Sequence, residues 1–435
     1  VAVPPTTTTT LEDAVAHITA SDSIAVPLGP GQPGSFLHGL AARDDYDGLT
    51  VSGALLVDFY EVLSKPGVRH LSGFYGPIER ILIDQGADVE FIPSDFRRFA
   101  PLLERLCPRV MATVATPPDA DGNLSLSLHA GATVAELHRA GADPDRLLVV
   151  EMNPNFPRTR GLPPEHAHAV HLDEIDVLIE SDRPPFLLED PPATEVEVAI
   201  AGFARSFVTD GCTLQTGIGG VPSTVVGLLA SEDGGDYGVH SEMFTTGLMH
   251  LHRSGKVTNQ KGGPWDGFSV TTFSAGTQEL YDWLDENDEV RFLPVDLVNS
   301  RHRIAENRKM VTINGAICID LYGQVVADTI GPRQYSGIGG HEDFVSATGF
   351  ELEDRSLVCL PSTATAGGSV VSRIVGSLPA GWVITTPRHQ LDVVVTEFGS
   401  AELRGGTVRE RALALAEIAH PDFREELRSH AEQMS

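Results

Sequence analysis

One carboxylate stands out by its place in the chain. Glu242 lies in Tyr237-Gly238-Val239-His240-Ser241-Glu242-Met243-Phe244-Thr245-Thr246-Gly247, which reads as a β-strand end running into a glycine-rich turn. A carboxylate at such a point is held by the sheet while its oxygens can face a cleft. It can serve as a general base, a metal ligand or a nucleophile, or simply be a surface glutamate. Two glycine loops flank it in sequence: Gly217-Ile218-Gly219-Gly220-Val221-Pro222 and Ser336-Gly337-Ile338-Gly339-Gly340-His341-Glu342-Asp343-Phe344. Both offer backbone N–H groups unhindered by side chains, as an anion or a developing oxyanion requires. Pro222 breaks the GxGxxG pattern, and no acidic ribose-binding signal follows, which argues against a dinucleotide dehydrogenase.

The histidines do not make a metal site. His166, His168 and His171 stand with Glu165, Asp173 and Glu174 in a proline-flanked loop without a nearby cysteine. His250 and His252, two apart, would face opposite sides of a strand and lack a full ligand set. No metal is expected.

The element that carries the first glycine loop recurs. Asp210 to Ala230 reads as strand, loop and helix, and so does Asp22 to Ala42. An offset of 188 pairs Asp22 with Asp210, Gly29 with Gly217, Gly31 with Gly219, Ser35 with Ser223, Gly39 with Gly227 and Val51 with Val239. This register suggests an internal duplication. Glu242 then matches Ala54, so the halves share a scaffold and the second alone carries the carboxylate. The expected fold is two similar open α/β domains with the active site in the cleft between them. Their expected limits are 1–185 and 196–435, joined by a proline-rich linker over 186–195. Asn314-Gly315 reads as the turn of a β-hairpin, and Thr407 as the cap of a helix running through Ile418.

Composition narrows the partners. The 435 residues are 41% hydrophobic and 21% charged, the balance of a soluble globular protein. No apolar run reaches the length of a membrane span. The Pro/Thr-rich start has neither a basic beginning nor an apolar core, so no signal peptide is expected. A net charge of −29 argues against nucleic acid or an anionic membrane as partner. The lysines are Lys65, Lys256, Lys261 and Lys309; with Arg301, Arg303 and Arg308, the last three mark where positive charge is available to a phosphate-bearing ligand. Cys107, Cys212, Cys318 and Cys359 form no CxxC and read as reduced thiols of a cytoplasmic protein.

As an ordered set, these segments resemble the acetyl-CoA hydrolase/transferase family of class I CoA-transferases, especially its 4-hydroxybutyrate/acetate CoA-transferase branch. The carrying motifs are the two glycine loops, Gly238 to Met243, Ile313-Asn314 to Asp320-Leu321 with Gly323-Gln324-Val325, and Val395-Thr396-Glu397-Phe398-Gly399 to Leu403-Arg404-Gly405. Asn153-Pro154-Asn155-Phe156-Pro157-Arg158-Thr159 and Ile418 to Arg424 extend the likeness over nearly the whole chain.

The resemblance implies that Glu242 is a nucleophile, forming an acyl-glutamyl anhydride and then a glutamyl-CoA thioester. Coenzyme A would be substrate and covalent intermediate, with no tightly bound cofactor, and the partners would be acyl-CoA and small carboxylic acids. The amides near Ile218 and Gly340 would hold the oxyanion. Gly217, Gly219, Gly220, Val221, Asn299, Asn314, Ser336 and Gly339 would complete the oxyanion and CoA-binding set. The nucleophile must be ionised, so no raised pKa is required. A homodimer is expected.

Three departures bear on the substrate walls: His341 where the family often has Gln, Gln390-Leu391-Asp392 where it usually has His-Tyr, and a longer, proline-rich loop over 161–169. The alternatives are an acyl-CoA hydrolase using the same glutamate and a catalytically silent CoA-binding sensor.

Overall fold

The computed structural model describes residues 8–189 and 191–434. Most of the Pro/Thr-rich start, and Asp190 within the expected linker, lie outside the described residues. The chain divides into two compact units. The first takes the chain up to Leu188 together with Val270–Val298; the second takes Glu189–Ser269 and the chain from Asn299 onward. The break after Leu188 falls inside the expected linker. The segment Val270–Val298, however, belongs to the first unit rather than to the C-terminal half.

The first unit is built on a seven-stranded sheet. Its strands are β1 (Ser23–Ala25), β2 (Leu49–Gly53), β3 (Val68–Ser72), β4 (Asp88–Phe91), β5 (Val110–Ala115), β6 (Leu147–Met152) and β7 (Val177–Glu180), in the order β4-β3-β2-β1-β5-β6-β7. All neighbours are parallel. Every residue of β5 is buried, as a parallel strand covered on both faces requires. Ile24, Val51, Val110, Ala112 and Val149 form its core with Phe36, Leu37 and Leu40 from the helix Gly34–Leu40.

The second unit is also built on a mainly parallel sheet. Its sheet comprises β8 (Thr213–Thr216), β9 (Gly238–Val239), β10 (Met310–Gly315), β11 (Arg355–Cys359), β12 (Val393–Thr396) and β13 (Gly399–Glu402), in the order β9-β8-β10-β11-β12-β13. The first four pairings are parallel and β13 runs antiparallel to β12. The five parallel strands β9, β8, β10, β11 and β12 therefore share one carboxyl edge, the edge at which open α/β sheets bind ligands. Thr407 caps the helix Val408–Glu417 in a capping box with Glu410.

Each unit has a strand, glycine loop and helix followed by a parallel strand, but the register of that first strand pair differs. Ser23 lies opposite Thr50 in the first unit, whereas Thr213 lies opposite Gly238 in the second. The second pair is thus two residues closer in sequence. A slip of two keeps each side chain on its own face of the pleat. The positive-φ glycine of each loop follows the same slip: Gly29 (φ +55°) answers Gly219 (φ +108°), not Gly217.

Two local expectations fail. Asn314 and Gly315 do not turn; they continue β10 opposite Val358 and Cys359, because the parallel ladder with β11 runs through both residues. The hairpin lies further on, where Cys318–Asp320 pairs antiparallel with Val325–Val326 around Gly323 (φ +88°). The residues after Glu242 form the helix Thr246–Arg253, capped by Thr245, so His250 and His252 are helical, not on a strand.

Candidate active site

Glu242 lies three residues beyond β9, at the carboxyl edge of the second unit's sheet. The residue before it fixes its approach: Ser241 is fully buried, and its Oγ donates to the carbonyl of Thr216, the last residue of β8, at 2.9 Å. That bond ties the Glu242 turn to the mouth of the 217–221 loop. His240 is fully buried too. Its Nδ1 accepts from Asn307 Nδ2 at 2.8 Å, and its ring lies against Trp265 and Phe344.

The Glu242 carboxylate is held from two directions. Asn299 Nδ2 donates to Oε2 at 2.6 Å. The same nitrogen donates to Asp343 Oδ2 at 3.1 Å. On another side the backbone of Gly340 comes so close that a Cβ there would lie 1.9 Å from Oε2 and 2.5 Å from Asn299 Nδ2. Only glycine fits at 340. Burial pushes the Glu242 carboxyl up to about 8; the Asn299 hydrogen bond opposes this and the nearby Asp343 charge adds to it. The expectation that no raised pKa is needed is thus met by a carboxyl that has one: packing around the acid penalises its charge more than the Asn299 amide favours it.

The remaining expected residues fall into two groups. Gly217, Ile218 and Gly219 form the loop after β8, with Ile218 half exposed, and Gly220 and Val221 begin the helix Gly220–Ser231. A Cβ at Gly217 or Gly219 would meet no atom within 4 Å, whereas at Gly220 it would strike the Glu197 carboxylate at 2.4 Å. Asn314 sits at the carboxyl end of β10, where its Nδ2 donates to Gln215 Oε1 on β8 at 3.3 Å. These all share the carboxyl edge with Glu242. Gly339 (φ +56°) leads into Gly340. Ser336 belongs to a separate network: its N–H donates to the carbonyl of Asp328 at 3.0 Å, and its own carbonyl accepts from Gln334 Nε2 at 2.9 Å.

Several sequence signals find structural uses. Lys256 Nζ donates to the carbonyl of Leu229 at 2.8 Å, near the end of the helix Gly220–Ser231. Lys309 pairs with Glu353 at 3.5 Å and Arg303 with Glu306 at 3.2 Å. Lys261 is buried, with its Nζ on the carbonyl of Phe268 at 2.6 Å; burial pushes its amine down to about 8. Much of the positive charge expected for a phosphate is therefore engaged within the protein. His168 is buried, bonded to the carbonyl of Ser127 at 2.8 Å and stacked on Phe292. Among the described residues no cluster of metal-ligating side chains occurs, and no helix is long and apolar enough to cross a membrane. His341 is buried against Thr386 at 2.8 Å, and Asp392 binds Arg404 at 2.8 Å and the Ser356 N–H at 3.1 Å. Both departures thus serve internal packing here.

Asp343, Asn307 and Gln215, which hold Asn299, His240 and Asn314, have no role assigned from the sequence. The available signal was Asp343 standing three residues after Gly340, one turn of helix away.

Comparison with known proteins decides the family. The model of the acetyl-CoA hydrolase/transferase C-terminal domain matches residues 276–431. The succinyl-CoA:cyclohexane-1-carboxylate CoA transferase of Geobacter metallireducens is 36% identical over 97% of this chain and 94% of its own. The chain belongs to the CoA-transferases of the acetyl-CoA hydrolase/transferase family. The 4-hydroxybutyrate coenzyme A transferase of Clostridium kluyveri is 35% identical over 96% of this chain and 95% of its own. RipA from Yersinia pestis has the same fold, with a TM-score of 0.86 at 33% identity over 98% of this CoA-transferase and 97% of that chain. Relatives named acetyl-CoA hydrolase are more distant, that of Neurospora crassa being 25% identical over 74% of this chain and 65% of its own.

Proposed function

We propose that this CoA-transferase moves CoA between a short-chain acyl-CoA and a carboxylic acid through a glutamyl-CoA thioester on Glu242. The observation that carries the reading is the Glu242 carboxylate at the sheet's carboxyl edge, with Oε2 held 2.6 Å from Asn299 Nδ2 and packed on Gly340. In this scheme Oε1 is the attacking oxygen and Oε2 stays on the Asn299 amide. Oε1 adds to the acyl carbonyl carbon, the carbon–sulfur bond breaks and CoA thiolate leaves, giving a mixed anhydride. The thiolate then adds to Cδ of Glu242. The bond from Cδ to the bridging oxygen breaks, and the first acid departs with that oxygen. An acceptor carboxylate reverses these steps and restores the glutamate.

In each tetrahedral species at Cδ the negative charge falls on Oε2. The Asn299 amide and the Gly340 backbone lie where that charge develops, and preorganised donors of this kind act without reorganising at the moment of reaction. For the species at the acyl carbon, the open loop around Ile218 supports a matching role. Gly217, Gly219, Gly220, Val221, Asn314 and Gly339 shape this edge, and Ser336 joins the CoA-binding set on the strength of the family motif alone. CoA serves as substrate rather than as resident cofactor. We further propose a cytoplasmic homodimer, a reading supported by four free cysteines and the large net negative charge.

Oxygen labelling tests this chemistry. With acetate carrying ¹⁸O as acceptor, one labelled oxygen stays on Glu242 after turnover and leaves in the next acid released. Label entering the released acid from H₂¹⁸O instead, independent of any acceptor, would replace the transferase reading by hydrolysis.

A further inference from the structure

The Asn299 amide serves two carboxylates from one nitrogen, and its other end is alone. Nδ2 reaches Glu242 Oε2 at 2.6 Å and Asp343 Oδ2 at 3.1 Å. Oδ1 is buried and has no hydrogen-bond partner among the described residues. A primary amide turned over about its last side-chain bond exchanges a two-donor end for an acceptor end. With no donor on the oxygen side, the two acceptors at nitrogen set which way this amide points. One of those acceptors is transient. Once Glu242 carries an acyl group or CoA, Oε2 is a neutral carbonyl oxygen, a weaker acceptor than a carboxylate. Asp343 is fully buried, and no bond to it forms or breaks in the proposed reaction.

We propose that Asp343 is a positioning residue: its carboxylate keeps Asn299 Nδ2 aimed at Oε2 of Glu242 through the covalent stages of the reaction. This inference rests on Glu242 being the nucleophile. Without Asp343 the amide can turn its oxygen toward Oε2 just when negative charge develops there, and the donor becomes a repulsive acceptor.

Asp343 also faces Glu242 as a like charge. Other titratable or charged groups on the surrounding elements are His240, bonded to Asn307; His341 and Glu342, both bonded to Thr386; Lys261, on the carbonyl of Phe268; and Arg301, at the start of the helix Arg301–Ala305. None of these shares the Asn299 amide, whose hydrogen bonds run to Glu242 and Asp343.

A double-mutant cycle reads the proposal directly. Asp343→Asn is expected to lower kcat by roughly 10–100-fold, with the KM for acyl-CoA within about threefold of native, as for loss of a contact that matters mainly in the transition state. It is also expected to move the alkaline rise of kcat/KM to lower pH, because a like charge has gone. In an Asn299→Ala background the same change is expected to cost less than about twofold, since the group it orients is absent. Equal losses in the two backgrounds, or an unmoved pH profile, would overturn the proposal and leave Asp343 a structural residue. Should Asp343→Asn not fold, Asp343→Glu keeps the acceptor and displaces it by one methylene, and the same cycle with Asn299→Ala applies. The underlying reading is checked apart from this: a native enzyme that forms no CoA adduct removes the nucleophile itself, whereas an adduct with additive mutants removes only the role of Asp343.

Discussion

Asn299 Nδ2 lies 2.6 Å from Glu242 Oε2, although the two residues stand 57 positions apart in the chain. In the proposed reaction Oε2 stays on this amide while Oε1 bonds to the acyl group. Asn299→Ala removes the donor and is expected to lower kcat by about 10²–10³-fold, the cost of losing one oxyanion donor. The KM for acyl-CoA should change far less. Steady-state kinetics with acetate as acceptor measures the split.

Replacing the nucleophile is a harsher change. Glu242→Gln keeps the shape and removes the attacking oxyanion, so transferase activity should fall by at least about 10³-fold. Thermal melting should show the fold intact.

The two glycine loops should respond differently to a methyl group. Gly340→Ala puts a Cβ 1.9 Å from Oε2, so activity should drop by about 10²-fold or more and the melting temperature should fall. At Gly217 a Cβ meets no protein atom within 4 Å. Gly217→Ala should therefore leave the melting temperature within about 2 °C of native, with any loss confined to activity. Parallel melting and kinetic measurements on the two variants make the comparison.

The displaced acidity of Glu242 should be visible in pH dependence. Attack needs the carboxylate, so kcat/KM should rise with pH through a midpoint near the carboxyl's value of about 8 and level off above it. Stability runs the other way. A carboxyl raised from 4.5 to about 8 in the folded chain contributes stability that is fully present below 4.5 and is lost as pH rises through about 8. Glu242→Gln lacks this dependence. Its melting temperature should gain on the native protein as pH rises from about 5 to 9, at roughly 1 °C per kcal/mol for a chain of 435 residues.

The sequence carried much of this site because its cues are local. The strand–glycine loop–helix unit is written twice in contiguous residues, and both loops around Glu242 are visible as glycine clusters. What escaped reading depends on tertiary packing. The segment Val270–Val298 has ordinary helix and strand signals, and nothing in them tells which unit receives it. Asn314-Gly315 has the composition of a tight turn, but its pairing with β11 keeps it extended. The two-residue slip between the halves is invisible to a single offset because it lies between two strands, not within either one. The acidity of Glu242 follows from the burial of its carboxylate beside Asp343, 101 positions away, and no spacing rule encodes that.

The central claim, a covalent glutamyl-CoA on Glu242, is most directly tested by intact-protein mass spectrometry after incubation with acetyl-CoA and no acceptor. The native protein should gain the mass of CoA less water, Glu242→Ala should gain nothing, and acetate or butyrate should discharge the adduct with new acyl-CoA appearing. A native protein that binds CoA yet forms no adduct with any of several acyl-CoAs, or an adduct that persists in Glu242→Ala, would contradict the claim.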